Sequence, residues 1–143
     1  MRTNRLNLAL GLGLILATML ACNFSFSTAN ISSLKLSKDK GGSTETTNFS
    51  PTSAIYAIAV ISNTSDKHKV KCRLLYDDVQ GGKTGAPVPG AETTLDVPGS
   101  NTATFTFTPA GGGWPKGRYK VEVTMTDESG EQKDQETADM VIS

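Results

Sequence analysis

The stretch GRYKVEVTMT, Gly117 to Thr126, alternates large apolar and polar residues at every step. Tyr119, Val121, Val123 and Met125 share one parity, and Arg118, Lys120, Glu122 and Thr124 share the other. A helix would scatter a period of two around its 3.6-residue turn, whereas a strand gathers the apolar residues on one face. The stretch therefore predicts a strand with one face in a core and the other in water.

The same period continues in both directions. Phe105 and Phe107 alternate with Thr104, Thr106 and Thr108, and Val70, Cys72 and Leu74 alternate with Lys69, Lys71 and Arg73. Residues 55–61 are apolar on both parities, which predicts a central strand covered on both sides. Strands are expected over 31–38, 53–62, 68–76, 91–97, 102–108, 117–126 and 133–142, separated by Gly, Pro, Asn, Asp and Ser. About seven short strands joined by turn-rich loops predict an all-β chain, an antiparallel sandwich of two packed sheets. The segments 38–50 and 80–90 are expected to be exposed connectors.

The N-terminal segment has a different composition. Arg2 and Arg5 precede an apolar run from Leu6 to Leu20, and Ala21 stands directly before Cys22. This is the three-part layout of a secretory signal. About 15 residues of helix reach roughly 22 Å, short of the ~30 Å hydrocarbon core, so a spanning helix is the poorer reading. Met19-Leu20-Ala21-Cys22 resembles a bacterial lipoprotein lipobox, with Met19 where that family usually has Leu. The resemblance implies cleavage before Cys22 and lipidation of Cys22, with the membrane as partner through N-terminal acyl chains. It also implies a place on the cell membrane or outer membrane facing away from the cytoplasm. Asn23, rather than an aspartate, follows the cysteine and points to the outer surface. The expected organisation is a signal peptide over 1–21, a lipidated cysteine and linker over 22–30, and a β-sandwich domain over 31–143.

Across the whole chain, 14 basic residues balance 14 acidic ones. Removing residues 1–21 takes away only Arg2 and Arg5, so the remainder carries 12 against 14 and has no general attraction for nucleic acid. With Cys22 lipidated, Cys72 has no cysteine to pair with, and its parity is that of the apolar face.

Around Trp114-Pro115-Lys116-Gly117-Arg118-Tyr119-Lys120-Val121 the chain resembles the Ig-like and fibronectin-III-like modules of bacterial surface lipoproteins, with Phe49-Ser50-Pro51 a further likeness. The resemblance implies an Ig-like sandwich in which Tyr119 forms a tyrosine corner, its hydroxyl bonded to backbone a few residues upstream. The cysteine pair of antibody domains is absent.

Catalytic constellations are not legible. The single histidine, His68, stands four residues from Cys72 on one expected strand, ~13 Å away, too far for a dyad. Gly82-Lys83-Thr84 matches only the end of a phosphate-binding loop and runs into Pro87 instead of a helix. No enzyme activity, cofactor or metal is expected, although Asp66 could approach Asp127 and Glu128 at one sandwich end as a cation site. The candidate binding patch is basic. Lys69, Lys71 and Arg73 face outward on one strand, with Arg118 and Lys120 on its neighbour, suited to phospholipid headgroups, an anionic glycan or an acidic envelope protein. Glu122, Glu131, Asp134 and Glu136 on adjacent strands are the residues placed to neutralise it. The function expected is a non-catalytic binding or structural module of the envelope. The alternative is a protease inhibitor or enzyme accessory acting through the loop from Gly111 to Trp114, for which Trp114 would have to protrude.

Overall fold

A computed structural model describes residues 28–143. The expected signal peptide and Cys22 lie outside the described residues. Eight strands run in chain order: β1 Asn30–Ser37, β2 Asn48–Phe49, β3 Ile55–Ser62, β4 Lys67–Val79, β5 Pro87–Pro98, β6 Asn101–Phe107, β7 Gly117–Thr126 and β8 Gln132–Ile142. They form a three-stranded sheet, β1-β3-β6, packed on a five-stranded sheet, β2-β8-β7-β4-β5. This is the all-β, Ig-like sandwich. Its pairings are antiparallel except for β2, which lies parallel to the end of β8. In the constant-type Ig arrangement the fourth main strand joins the first sheet, whereas here β5 pairs with β4.

The core follows the parity of the sequence. Tyr119, Val121, Val123 and Met125 on β7 face Ile55, Ala57, Ala59 and Ile61 on β3 across the interior, with Phe105 and Phe107 beside them. β3 is the central strand of its sheet, as its two-sided apolarity predicted. Among the described residues, the eight strands share one hydrophobic core that runs from Ala29 to Ile142.

Two elements depart from expectation. β2 was expected to be part of an exposed connector. It forms because the loop after β1 folds back: Asp39 accepts N–H bonds from Ser43 and Thr44 at 3.1 and 2.6 Å, and Thr46 N–H reaches the Leu36 carbonyl. That turn delivers Phe49 to the core, where it is 2% exposed. β5 begins at Pro87, inside the segment expected to be a loop. Pro87 and Pro89 are tolerated because β5 is an edge strand, so the missing N–H groups belong to the side without a partner.

The sandwich end near Trp114 is tied by three bonds. Trp114 N–H donates to the Pro51 carbonyl and its indole Nε1–H to the Ser53 carbonyl, both at 2.8 Å. The Tyr119 hydroxyl donates to the Pro115 carbonyl at 2.7 Å, four residues upstream, which is the expected corner. Gly117 is required here, since at φ 142° a Cβ would strike the Asp78 carbonyl oxygen and sit 3.0 Å from Val79.

Candidate functional site

The outer face of the five-stranded sheet carries the five basic residues singled out from sequence. On β4, Lys69, Lys71 and Arg73 point away from the core while His68, Val70, Cys72 and Leu74 point into it. Arg118 and Lys120 lie on the adjacent strand β7, but antiparallel register places them opposite Asp78 and Leu75, toward the far end of β4. The five cations therefore share a face without forming one tight cluster.

Register also supplies them with partners. Lys69 is 3.0 Å from Asp96 of β5, and Arg73 is 2.7 Å from Glu122 of β7. Arg118 lies 3.3 Å from Asp77 and 3.6 Å from Asp78, and Lys120 lies 3.8 Å from Asp139. Of the residues expected to neutralise the face, Glu122 does so. Glu131 instead pairs with Lys133 at 3.3 Å, and Asp134 accepts the Ile31 N–H at 2.8 Å. Asp96, Asp139, Asp77 and Asp78 were not anticipated as partners of these cations. Their role depends on which residues stand opposite one another, and strand pairing across long loops does not show in local sequence.

Lys71 differs from the other four. Its row across the sheet is Thr94, Lys71, Thr124 and Gln135, with hydroxyl and amide groups where the flanking rows have carboxylates. Among the described residues no carboxylate forms an ion pair with it. A groove of about 370 Å³ runs over Lys69, Lys71, Thr94 and Thr124. An ammonium among neutral hydroxyls has its charge unspent and can attract an anion, whereas the Arg73 guanidinium is paired with Glu122 and stands opposite Glu92 in the same row.

At the end holding the β7–β8 turn, Asp66, Asp127 and Glu128 do line one groove, with Lys67, His68 and Lys133. Lysines already occupy the place a cation would take: Lys133 is 3.1 Å from Asp127, and Lys67 is 3.4 Å from Glu128. Asp127 also accepts the Ser129 hydroxyl at 2.6 Å and the N–H groups of Ser129 and Glu131, and these bonds, the hydroxyl first, hold its carboxyl well below the usual range. Among the described residues no group of three metal-ligating side chains forms.

His68 is 3% exposed, with Nδ1 3.0 Å from the Asp66 carbonyl. Cys72 is fully enclosed, and burial pushes its thiol far above the ordinary value, away from the thiolate a nucleophile needs. Trp114, on which the inhibitor alternative depended, is 7% exposed and bonded inward. Only Gly111 and Gly112 of its loop, which have no side chains to offer, stand out with Ala110.

No protein-family model matches the chain, and no curated protein matches it. Among solved structures it is similar to a protein assigned as a β-galactosidase from Bacteroides fragilis, with 14% identity and a TM-score of 0.50 over 78% of this chain. It is also similar to a β-glucuronidase of Bacteroides uniformis, with 10% identity and a TM-score of 0.51 over 80% of this chain. The chain spans 17% and 14% of the lengths of those two proteins. Likenesses at this identity show the fold alone.

Proposed function

We propose that this chain is a lipid-anchored, extracytoplasmic Ig-like module of the bacterial cell envelope that binds or supports a partner and performs no catalysis. The observation carrying the reading is the placement of Met19-Leu20-Ala21-Cys22 just ahead of the sandwich, whose first strand opens at Asn30. Thr28 and the buried Ala29 already contact the sandwich, so residues 23–27 are then the spacer, at most ~18 Å when extended, and the domain stands close over the bilayer. One acyl chain gives marginal, reversible binding, and two or three make departure very slow. The mechanism is display: the acyl groups confine the module to a surface and its outer sheet face meets the partner. With most cations paired, the attraction for an anionic glycan or acidic envelope protein is concentrated at Lys71. The enclosed Cys72 and the inward-bonded His68 support a non-catalytic role.

The test is intact mass and fractionation of the full-length chain expressed in a bacterium. A mature protein beginning at Cys22 with added acyl mass is expected, and Cys22→Ser is expected to leave the membrane fraction. Unaltered processing and fractionation of Cys22→Ser overturn the anchoring. Loss of an envelope partner on Lys71→Glu supports the face; its retention directs the reading to the loops.

A further inference from the structure

A two-sheet sandwich has four long edges, and here three of them are closed by different means. Along β1, the Ile31 N–H is taken by Asp134, the Leu36 carbonyl accepts from Thr46 N–H at 3.0 Å, and Lys38 N–H reaches the Thr44 carbonyl. Along β8, β2 covers the C-terminal part, with Val141 N–H on the Thr47 carbonyl and Ser143 N–H on the Phe49 carbonyl. The remainder of β8 carries Asp134, Glu136 and Asp139. Along β5, Pro87, Pro89 and Pro98 lack the N–H a new strand would need. These are the usual ways in which proteins blunt sheet edges.

β6 is guarded only at its start, where the Thr102 N–H is taken by the Asn101 side-chain oxygen at 2.8 Å. It pairs with β3 on one side, and among the described residues no backbone bond from another strand or loop reaches its other side. From Asn101 through Thr108 it contains no charge, no proline and no glycine. Its residues are β-branched or aromatic at all but two positions. A neutral segment of this kind on an open edge is a template for strand addition.

We propose that the β6 edge is a self-association surface, on which a second copy of this chain pairs its own β6 antiparallel about Thr104. A two-fold axis there joins the two three-stranded sheets into one of six strands. The occupant follows from the side chains at that register. On the outer face Thr104 meets Thr104, and Thr102 meets Thr106, so like meets like without repulsion. On the inner face Ala103 stands opposite Phe105 of the other copy, and since both are already buried in their own cores the seam encloses no charged group there. A charged peptide would find no counter-charge along the strand. Antiparallel pairing sets the two N-terminal ends at opposite ends of the dimer. The association does not depend on acylation of Cys22.

Sedimentation velocity on residues 23–143, from micromolar to sub-millimolar concentration, tests this. The wild type is expected to pass from monomer to dimer. Thr104→Lys, which places two ammonium groups face to face at the axis, is expected to remain monomeric throughout while keeping a native far-UV spectrum. Thr104→Cys supplies a second readout, since residues directly opposite lie about 4.5–5.5 Å apart at Cα, within disulfide reach. It is expected to lock into a covalent dimer on mild oxidation, with Thr106→Cys failing to do so. A wild type that stays monomeric at the highest concentration overturns the proposal. So does a dimer that persists in Thr104→Lys, or equal cross-linking of the two cysteine variants.

Discussion

Replacing Tyr119 by Phe removes one oxygen atom and one hydrogen bond while leaving the ring, 1% exposed, in its place in the core. The lost bond is the hydroxyl's to the Pro115 carbonyl at 2.7 Å. A neutral bond contributes about 0.5–1.5 kcal/mol net, and an acceptor left bare and buried costs about 1–3 kcal/mol. Pro115 lies at the surface, so water can reach its carbonyl, and the expected loss is about 1–1.5 kcal/mol. For a domain of this size that is a fall in Tm of roughly 4–6 °C. The hydroxyl also makes a pH signature. Burial first, and then the neighbouring Tyr76, raises its ionisation above the ordinary 10.0. The folded state therefore holds the proton longer than the unfolded one, so this contribution is whole below pH 10 and is lost as pH rises through the folded value. Thermal unfolding followed by circular dichroism, at neutral pH and stepwise above pH 10, is the assay. The variant is expected to be less stable at neutral pH and to lose less on further alkalinisation, so the two curves converge. An unchanged Tm at neutral pH, or a gap that widens in alkali, refutes the reasoning.

Other consequences can be checked on the same domain. Gly117→Ala forces a Cβ against the Asp78 carbonyl in a backbone region that side chains avoid, and is expected to cost roughly 2–4 kcal/mol in urea titration. Glu122→Gln weakens a part-buried bond to Arg73 and is expected to cost about 1–2 kcal/mol, with little relief from added salt. Asp39 is held well below its usual ionisation, first by the Ser43 and Thr44 N–H groups, so its contribution is present above pH 3.8 and fades as pH falls through the lower folded value. Asp39→Ala is accordingly expected to be less stable at neutral pH and to show a flatter acid limb. The Cys72 thiol is expected to resist an aromatic disulfide reagent in the native domain and to react fully in denaturant.

Where each strand lies was legible because residues such as Tyr119, Val121 and Val123 repeat at the period of a pleated chain, and burial enforces that period whatever the partner strand. The tyrosine corner was legible because it is local, joining Tyr119 to Pro115 four positions upstream. β2 was not, since a two-residue strand has no period, and its formation rests on the Asp39 turn and on β8, some ninety residues further on. The start of β5 was concealed by prolines whose tolerance depends on lying at an edge, which is a property of sheet order. The candidate face was half legible. Outward parity identified its cations, but their neutralisation by Asp96, Asp139, Asp77 and Asp78 is a matter of register between distant strands.

The clasp between the Ile31 N–H and Asp134 also has a mechanical meaning. Tension arriving from the N-terminal side enters the body at Thr28, whose hydroxyl bonds the Asn63 carbonyl, and at the buried Ala29, immediately ahead of β1. β1 is matched to β3 from Asn30 opposite Ser62 to Ser37 opposite Tyr56. A tug directed along that strand shears the whole ladder at once instead of peeling it rung by rung, and the aspartate adds a fastening to a second sheet at the point of entry. A module hung by its front end would in this way resist extraction from its own fold with the strongest geometry a β structure has.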